Sequence, residues 1–217
     1  MTDRSVSNSI DQMKTKSEEK RLAILKAAFA VVTERGYSDT KVDEIAHRAG
    51  VAKGTVYLYF RDKPAIYVGL VDWLLEQALA VITEVTARPV SPRRKLGELF
   101  STWASGMMSN PGVMALLSME NVNQTNTVMK RFKKHVMPHM LEMEDAIAAI
   151  VKQGIEQGEF RTVEPRAAAM MYMSAFHAVL LLAARAPGAQ TGESIRELIF
   201  CGILADEDGR RTDGKRK

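Results

Sequence analysis

One cysteine, Cys201, stands in the whole chain, so a framework of intrachain disulfides is excluded. That scarcity fits a reducing compartment, and we expect a cytoplasmic protein. The amino terminus lacks the apolar core of an export signal, so no export is expected. No apolar run reaches the length of a membrane span; the richest, Ala178 to Ala184, stops at Arg185, and no membrane partner is expected. The patterns that carry catalysis are missing too. There is no Gly-rich phosphate loop, no GxSxG elbow and no HExxH, and nothing near Cys201 would activate its thiol. The expectation is a protein that is not an enzyme and needs no cofactor. No segment alternates apolar and polar residues long enough to make a strand, which leaves an all-α fold.

What is present is ample apolar material: 46% of 217 residues, enough for a real core and for one domain or two modest ones. Residues 1–65 hold 12 Lys/Arg against 9 Asp/Glu, residues 66–205 hold 13 of each, and residues 206–217 hold 5 against 4. The positive excess thus lies mainly near the amino terminus, where it would attract phosphate.

The stretch Thr40 to Lys63 reads as a helix-turn-helix followed by the start of a long helix. Thr40 is placed to cap the first helix, with Asp43 completing a capping-box-like pair. Val42, Ile45, Ala46 and Ala49 fall on one apolar face, and Gly50 suits the left-handed residue that ends a helix. A second short segment offers Val56 and Phe60 for burial and leaves Lys53, Thr55, Tyr57 and Tyr59 outside. Two short helices, a tight turn and an outer face of Lys, Thr and Tyr make a DNA-reading module.

The run AGVAKGTVYLYFRDK, ending at Lys63, resembles the DNA-binding signature of the TetR/AcrR transcriptional regulators. It departs at Ala52, where the family commonly has Ser, so a hydroxyl cap on the second helix is missing. The resemblance implies an N-terminal three-helix DNA-binding domain and a C-terminal helical domain for ligand binding and dimerisation. By position in the motif, Lys53, Gly54 and Tyr57 would face base edges of an operator. Thr40, Lys41, Thr55, Tyr59 and Lys63 would hold phosphates.

Along the chain, residues 1–17 are polar and aperiodic and are expected to form a disordered arm; residues 206–217 are expected to be a disordered tail. A helix starting at Glu18 carries the stripe Leu22, Leu25, Phe29 and Val32 and closes at Gly36. Residues 18–63 would be the DNA-binding domain and 64–205 the regulatory and dimerisation domain. Asp62, Lys63 and Pro64 open a fourth helix to about Thr86, and Arg88 to Pro92 is a break. Further helices are expected over 93–109, 111–119, 125–157, 165–185 and 191–205, with Pro138 kinking or splitting the longest. Two stripes suggest the dimer face: Ala168, Met171, Ala175, Ala178 and Leu182, then Ile195, Leu198, Ile199 and Ile203.

Eleven of the 13 methionines lie between Met107 and Met173, and flexible thioethers suit an apolar or aromatic effector as well as ordinary core filling. Candidates for lining such a pocket are Trp103, Met107, Met114, Met119, Asn123, Phe132, Met140, Tyr172, Phe176 and His177. His135 and His139 are four apart, but nothing completes a metal site, and none is expected. Lys130, Arg131, Lys133 and Lys134 read as a solvated face. The resulting expectation is a ligand-responsive, homodimeric regulator, more a repressor than an activator, on a palindromic double-stranded operator. The alternative is a DNA-anchored protein-interaction factor with no small-molecule inducer.

Overall fold

The structure, a computed structural model, describes residues 3–108, 126–185, 195–198 and 200. Among the described residues the main helices are, in chain order, α1 (Asp3–Asp39), α2 (Val42–Arg48), α3 (Lys53–Tyr59), α4 (Lys63–Ala87), α5 (Pro92–Met108), α6 (Asn126–Glu156) and α7 (Pro165–Arg185). There is no strand among the described residues, and the all-α expectation holds. The expected helix over 111–119 lies outside the described residues, as does the tail. Two compact units form, one within Met1–Gln77 and Asn110–His139, the other within Ala78–Ser109 and Met140–Lys217.

In the first unit α1 begins at Asp3 rather than Glu18. No Pro or Gly interrupts residues 3–35, so the helix runs on through a polar stretch that periodicity could not reveal. Its buried side is Ile24, Leu25, Ala28, Val31 and Val32, while Leu22 and Phe29 are only half-buried, a small rotation of the expected stripe. Gly36, at φ 76°, breaks the helical backbone as expected. Arg48 of α2 donates to both carboxylate oxygens of Glu34 on α1, with Nη1–Oε1 at 2.6 Å, and ties the two helices together.

Phe60 is buried where α3 hands over to α4. A Cβ on Gly69 would stand 2.7 Å from its ring, so the glycine makes the space that seats it against α4. Asp62 caps α4: the Ala65 N–H donates to its Oδ1 at 2.8 Å. At 25 residues and a mean hydropathy of 1.6 in its richest window, α4 is long and apolar enough to cross a membrane by length and composition. This corrects the expectation that no run reaches that length; Asp72 interrupts the run, but the average tolerates it. Asp72 is itself 8% exposed and hydrogen-bonded to His139 Nδ1 at 3.0 Å, so this part of α4 is a core element of its unit.

The second unit is built on α5, the latter part of α6, and α7. Leu96, Leu99 and Phe100 of α5 are buried, as are Met143, Ile147 and Ile150 of α6 and Ala169, Tyr172, Phe176 and Val179 of α7. Tyr172 Oη donates to the Leu96 carbonyl at 2.6 Å, and burial pushes that phenol well above its ordinary pKa. Helix α6 is not split at Pro138, which stays inside it. Its end is closed by Gly158 at φ 74°, with Glu159 N–H donating to the Gly154 carbonyl.

Candidate nucleic-acid interface

Helix α2 ends as the sequence predicts. Gly50 takes φ 66°, its N–H reaches the His47 carbonyl, and the Val51 N–H reaches the Ala46 carbonyl at 3.0 Å. This paired closure reverses the chain in two residues and sets α3 against α2. Burying Val56 and Phe60 fixes which side of α3 faces outward. Ala52 occupies the cap position of α3 and supplies no side-chain hydrogen bond, as its missing hydroxyl implies.

On that outer side Lys53, Gly54 and Tyr57 are exposed, and Thr55 and Tyr59 are half-buried. Lys53 Nζ pairs with Asp43 Oδ2 at 2.9 Å; this hydrogen bond raises the lysine pKa. Both groups are solvent-facing, so an arriving phosphate can compete for the ammonium. Tyr59 Oη accepts a long 3.4 Å bond from Ser17 Oγ of α1. Lys41, at the start of α2, is exposed as well.

Two residues differ from their expected surroundings. Thr40 does not cap α2: Lys41 holds the cap position without a side-chain bond, and Thr40 Oγ1 donates to the Gly36 carbonyl at 2.7 Å. The threonine is 4% exposed, its hydroxyl turned back toward the Gly36 carbonyl and away from α2. Lys63 Nζ donates to the Ser38 carbonyl at 2.9 Å and lies 4.7 Å from the Tyr37 ring centroid. Desolvation there lowers its pKa, and its ammonium is already hydrogen-bonded within the protein.

Sequence reasoning passed over Leu58, which is 85% exposed on α3 against 44% for Tyr57. The available signal was spacing: Gly54, Tyr57 and Leu58 stand at i, i+3 and i+4, on one face.

Five of the expected pocket residues have described side chains: Trp103, Phe132, Met140, Tyr172 and Phe176. Trp103, Tyr172 and Phe176 do meet: the Trp103 and Phe176 ring centroids are 5.0 Å apart, Trp103 and Tyr172 are 6.5 Å apart, and Phe100 joins them. Met140 is half-buried in that same second unit, whereas Phe132 is half-buried in the first. Met114, Met119 and Asn123 lie outside the described residues, and of Met107 and His177 only the helical backbone is described. The Tyr172 hydroxyl proton is committed to the Leu96 carbonyl, so toward a ligand this group could act only as an acceptor. The indole N–H of Trp103 is buried with no acceptor among the described residues.

A separate open groove of about 730 Å³ in the second unit is lined by Arg88, Arg93, Arg94, Glu98, Arg196 and Phe200, among others. Arg88 and Arg94 both bond to Glu98, so much of its charge is internally balanced. It is too polar and open to be the expected apolar pocket. His135 is exposed, and its supposed partner His139 is taken by Asp72. Among the described residues no group of three or more His, Cys, Asp or Glu is arranged to hold a metal.

Comparison with known proteins agrees with this architecture. Residues 24–70 match the family model "Bacterial regulatory proteins, tetR family", and residues 98–191 match "Tetracyclin repressor-like, C-terminal domain". The fatty acid metabolism regulator protein of Bacillus subtilis is 29% identical over 142 residues, covering 65% of this chain and 71% of that protein. The crystal structure of the regulator FadR from Bacillus subtilis in complex with stearoyl-CoA superposes with a TM-score of 0.68 at 23% identity, covering 84% of this chain and 98% of that one. A TetR-family regulator from Agrobacterium tumefaciens reaches a TM-score of 0.71 at 25% identity, over 87% of this chain and all of its own. With the helix-turn-helix and both family regions in place, the chain belongs to the TetR family of transcriptional regulators, ligand-responsive DNA-binding proteins with an N-terminal helix-turn-helix domain and a helical C-terminal domain.

Proposed function

We propose that this protein is a cytoplasmic repressor that binds a palindromic operator as a homodimer and leaves it when an apolar effector binds its C-terminal domain. Residues 18–63 read DNA and residues 64–205 respond and dimerise, with no catalytic step. Lys53, Gly54 and Tyr57 meet base edges; Lys41, Thr55, Tyr59 and Lys63 serve phosphates. Thr40 keeps the preceding backbone in place through Gly36 rather than offering a free hydroxyl.

The observation that carries the effector reading is the buried Trp103 N–H amid Phe100, Tyr172 and Phe176. An unmet buried donor costs about 1–3 kcal/mol, so an acceptor that reaches it is rewarded. An apolar molecule carrying one carbonyl answers both features. Fatty-acyl thioesters have that chemistry, and the similarity to a fatty acid metabolism regulator and to a regulator bound to stearoyl-CoA supports this class.

The dimer reading rests on α7. Met170 and Met171 are exposed there, with Ala167 and Ser174 on the same side, and Leu198 of the second expected stripe is exposed as well. Of the stripe expected from sequence, Ala168 and Ala175 turn inward instead, and Leu182, Ile199 and Ile203 have no described side chains. Two copies burying the Met170–Met171 side would match a two-fold operator.

The test is an operator selected from random DNA, titrated with protein in the presence of acyl-CoAs of graded chain length and of aromatic acids. Release of DNA with a matching rise in thermal stability supports the reading. A ligand at a hundred times its dissociation constant stabilises by about 2.7 kcal/mol. If no compound acts on either readout, a protein partner rather than a small molecule becomes the regulator.

A further inference from the structure

Two features of α3 are unexplained by the fold itself. Gly54 lies in the first turn of α3, where glycine still restricts more backbone freedom on folding than alanine would. Yet a Cβ built on it meets nothing within 4 Å, and its backbone is not left-handed, so neither packing nor conformation calls for glycine. Four residues on, Leu58 holds its side chain 85% exposed. Positions i and i+4 stack on one helical ridge, so the bare backbone of Gly54 and the projecting isobutyl group of Leu58 adjoin each other.

A single exposed leucine is ordinary on a protein surface. This one sits next to Tyr57 on the side of α3 that Val56 and Phe60, buried beneath, turn outward. Its apolar tip is too small and isolated for a protein-binding patch, and its neighbours Lys53 and Tyr57 suit a nucleic acid. The major groove offers one apolar group on the base edges, the C5-methyl of thymine. Gly54 would let the helix approach closely enough for a branched aliphatic side chain to reach it.

We propose that Leu58 is a specificity-determining residue that packs against a thymine methyl in each operator half-site. The proposal rests on the reading of α3 as the DNA-contacting helix. It adds an apolar discriminator to the Lys53 and Tyr57 contacts, and it requires a thymine at one fixed half-site position.

The experiment uses the full chain and an operator recovered from random DNA, with each thymine replaced in turn by deoxyuridine, which differs only by the methyl. Wild type should lose about fourfold in affinity at one thymine per half-site, the change that corresponds to ~0.8 kcal/mol for one buried methyl-sized group. Leu58→Ala should bind thymine and deoxyuridine operators equally at that position, and Leu58→Met should restore part of the preference. Tyr57→Ala and Gly54→Ala serve as controls on the helix. If both of them bind operator like wild type, the DNA-contacting helix is wrongly assigned. If they lose affinity while Leu58→Ala keeps the wild-type pattern of deoxyuridine sensitivity, or if no thymine position is sensitive in wild type, the role of Leu58 is overturned and the helix assignment stands.

Discussion

Arg131 and Asp62 are joined by two parallel hydrogen bonds, Nη1–Oδ1 at 2.7 Å and Nη2–Oδ2 at 3.1 Å, across a sequence separation of 69 residues. Asp62 is also the cap of α4, so one carboxylate links the start of that helix to the first half of α6. Further along the same two helices, Asp72 and His139 make a second polar link. The region between α3 and α4 is therefore held by a side chain from a segment distant in sequence.

Breaking the first link should register in both stability and pH dependence. The Arg131 hydrogen bonds hold the Asp62 carboxyl below its usual pKa, with the Ala65 N–H assisting. A lowered folded pKa gives stability that is present above the unfolded value and lost as pH falls through the folded one. Arg131→Ala should cost about 1 kcal/mol near neutral pH, a modest figure because Asp62 is partly solvated. It should also flatten the acid limb of a stability–pH curve, measured by urea melts from neutral to acid pH. An unchanged acid limb would show that the pair is not linked to folding.

Base and phosphate contacts on α3 should separate in a salt titration. Tyr57→Ala should cost about 1–3 kcal/mol on the selected operator and relax discrimination between sequences. Lys41→Ala should weaken all sequences alike and reduce the salt slope by about one. Lys63→Ala should do the same and lose some fold stability as well, since its ammonium bonds to the Ser38 carbonyl. Equal behaviour of all three variants would remove the distinction drawn between them.

On α7, Met171 is 70% exposed while its neighbour Tyr172 is buried. Met171→Glu should leave the protomer folded but prevent pairing, because a carboxylate would be forced into an apolar interface. Light scattering should then report the 24.1 kDa chain instead of twice that mass. Operator affinity should fall with it, as two linked half-site contacts become one. A dimer that survives this change would place the interface elsewhere.

Two glycines should respond in opposite directions to alanine. A Cβ on Gly154 would stand 2.1 Å from Phe160 Cδ2 and 2.3 Å from Cε2, and Phe160 is buried, so Gly154→Ala should destabilise by about 1–3 kcal/mol. At Gly97, inside α5, the same atom meets nothing within 4 Å, and Gly97→Ala should stabilise by about 0.5–1 kcal/mol. Thermal melts of both variants provide the comparison, and a stabilised Gly154→Ala would mean that Phe160 is free to move.

Local information in the chain determined a good deal. Gly36 and Gly50 break their helices because glycine enters the left-handed region at little cost, and that preference is visible in sequence. Helix α7 is described from Pro165 to Arg185, the span expected from the sequence. Ala52 leaves α3 uncapped for the same local reason. Tertiary structure decided whatever depends on a partner far along the chain. Thr40 looked like a cap because its neighbours suit one, but it is buried with its hydroxyl turned back toward the Gly36 carbonyl. Arg131 read as part of a solvated basic face until Asp62 came beside it. Helix α7 is apolar on more than one side, so its periodicity could not say that Ala168 and Ala175 turn inward while Met171 turns out. Hydrophobicity names the residues that can be buried; only the competition among packed helices decides which of them are.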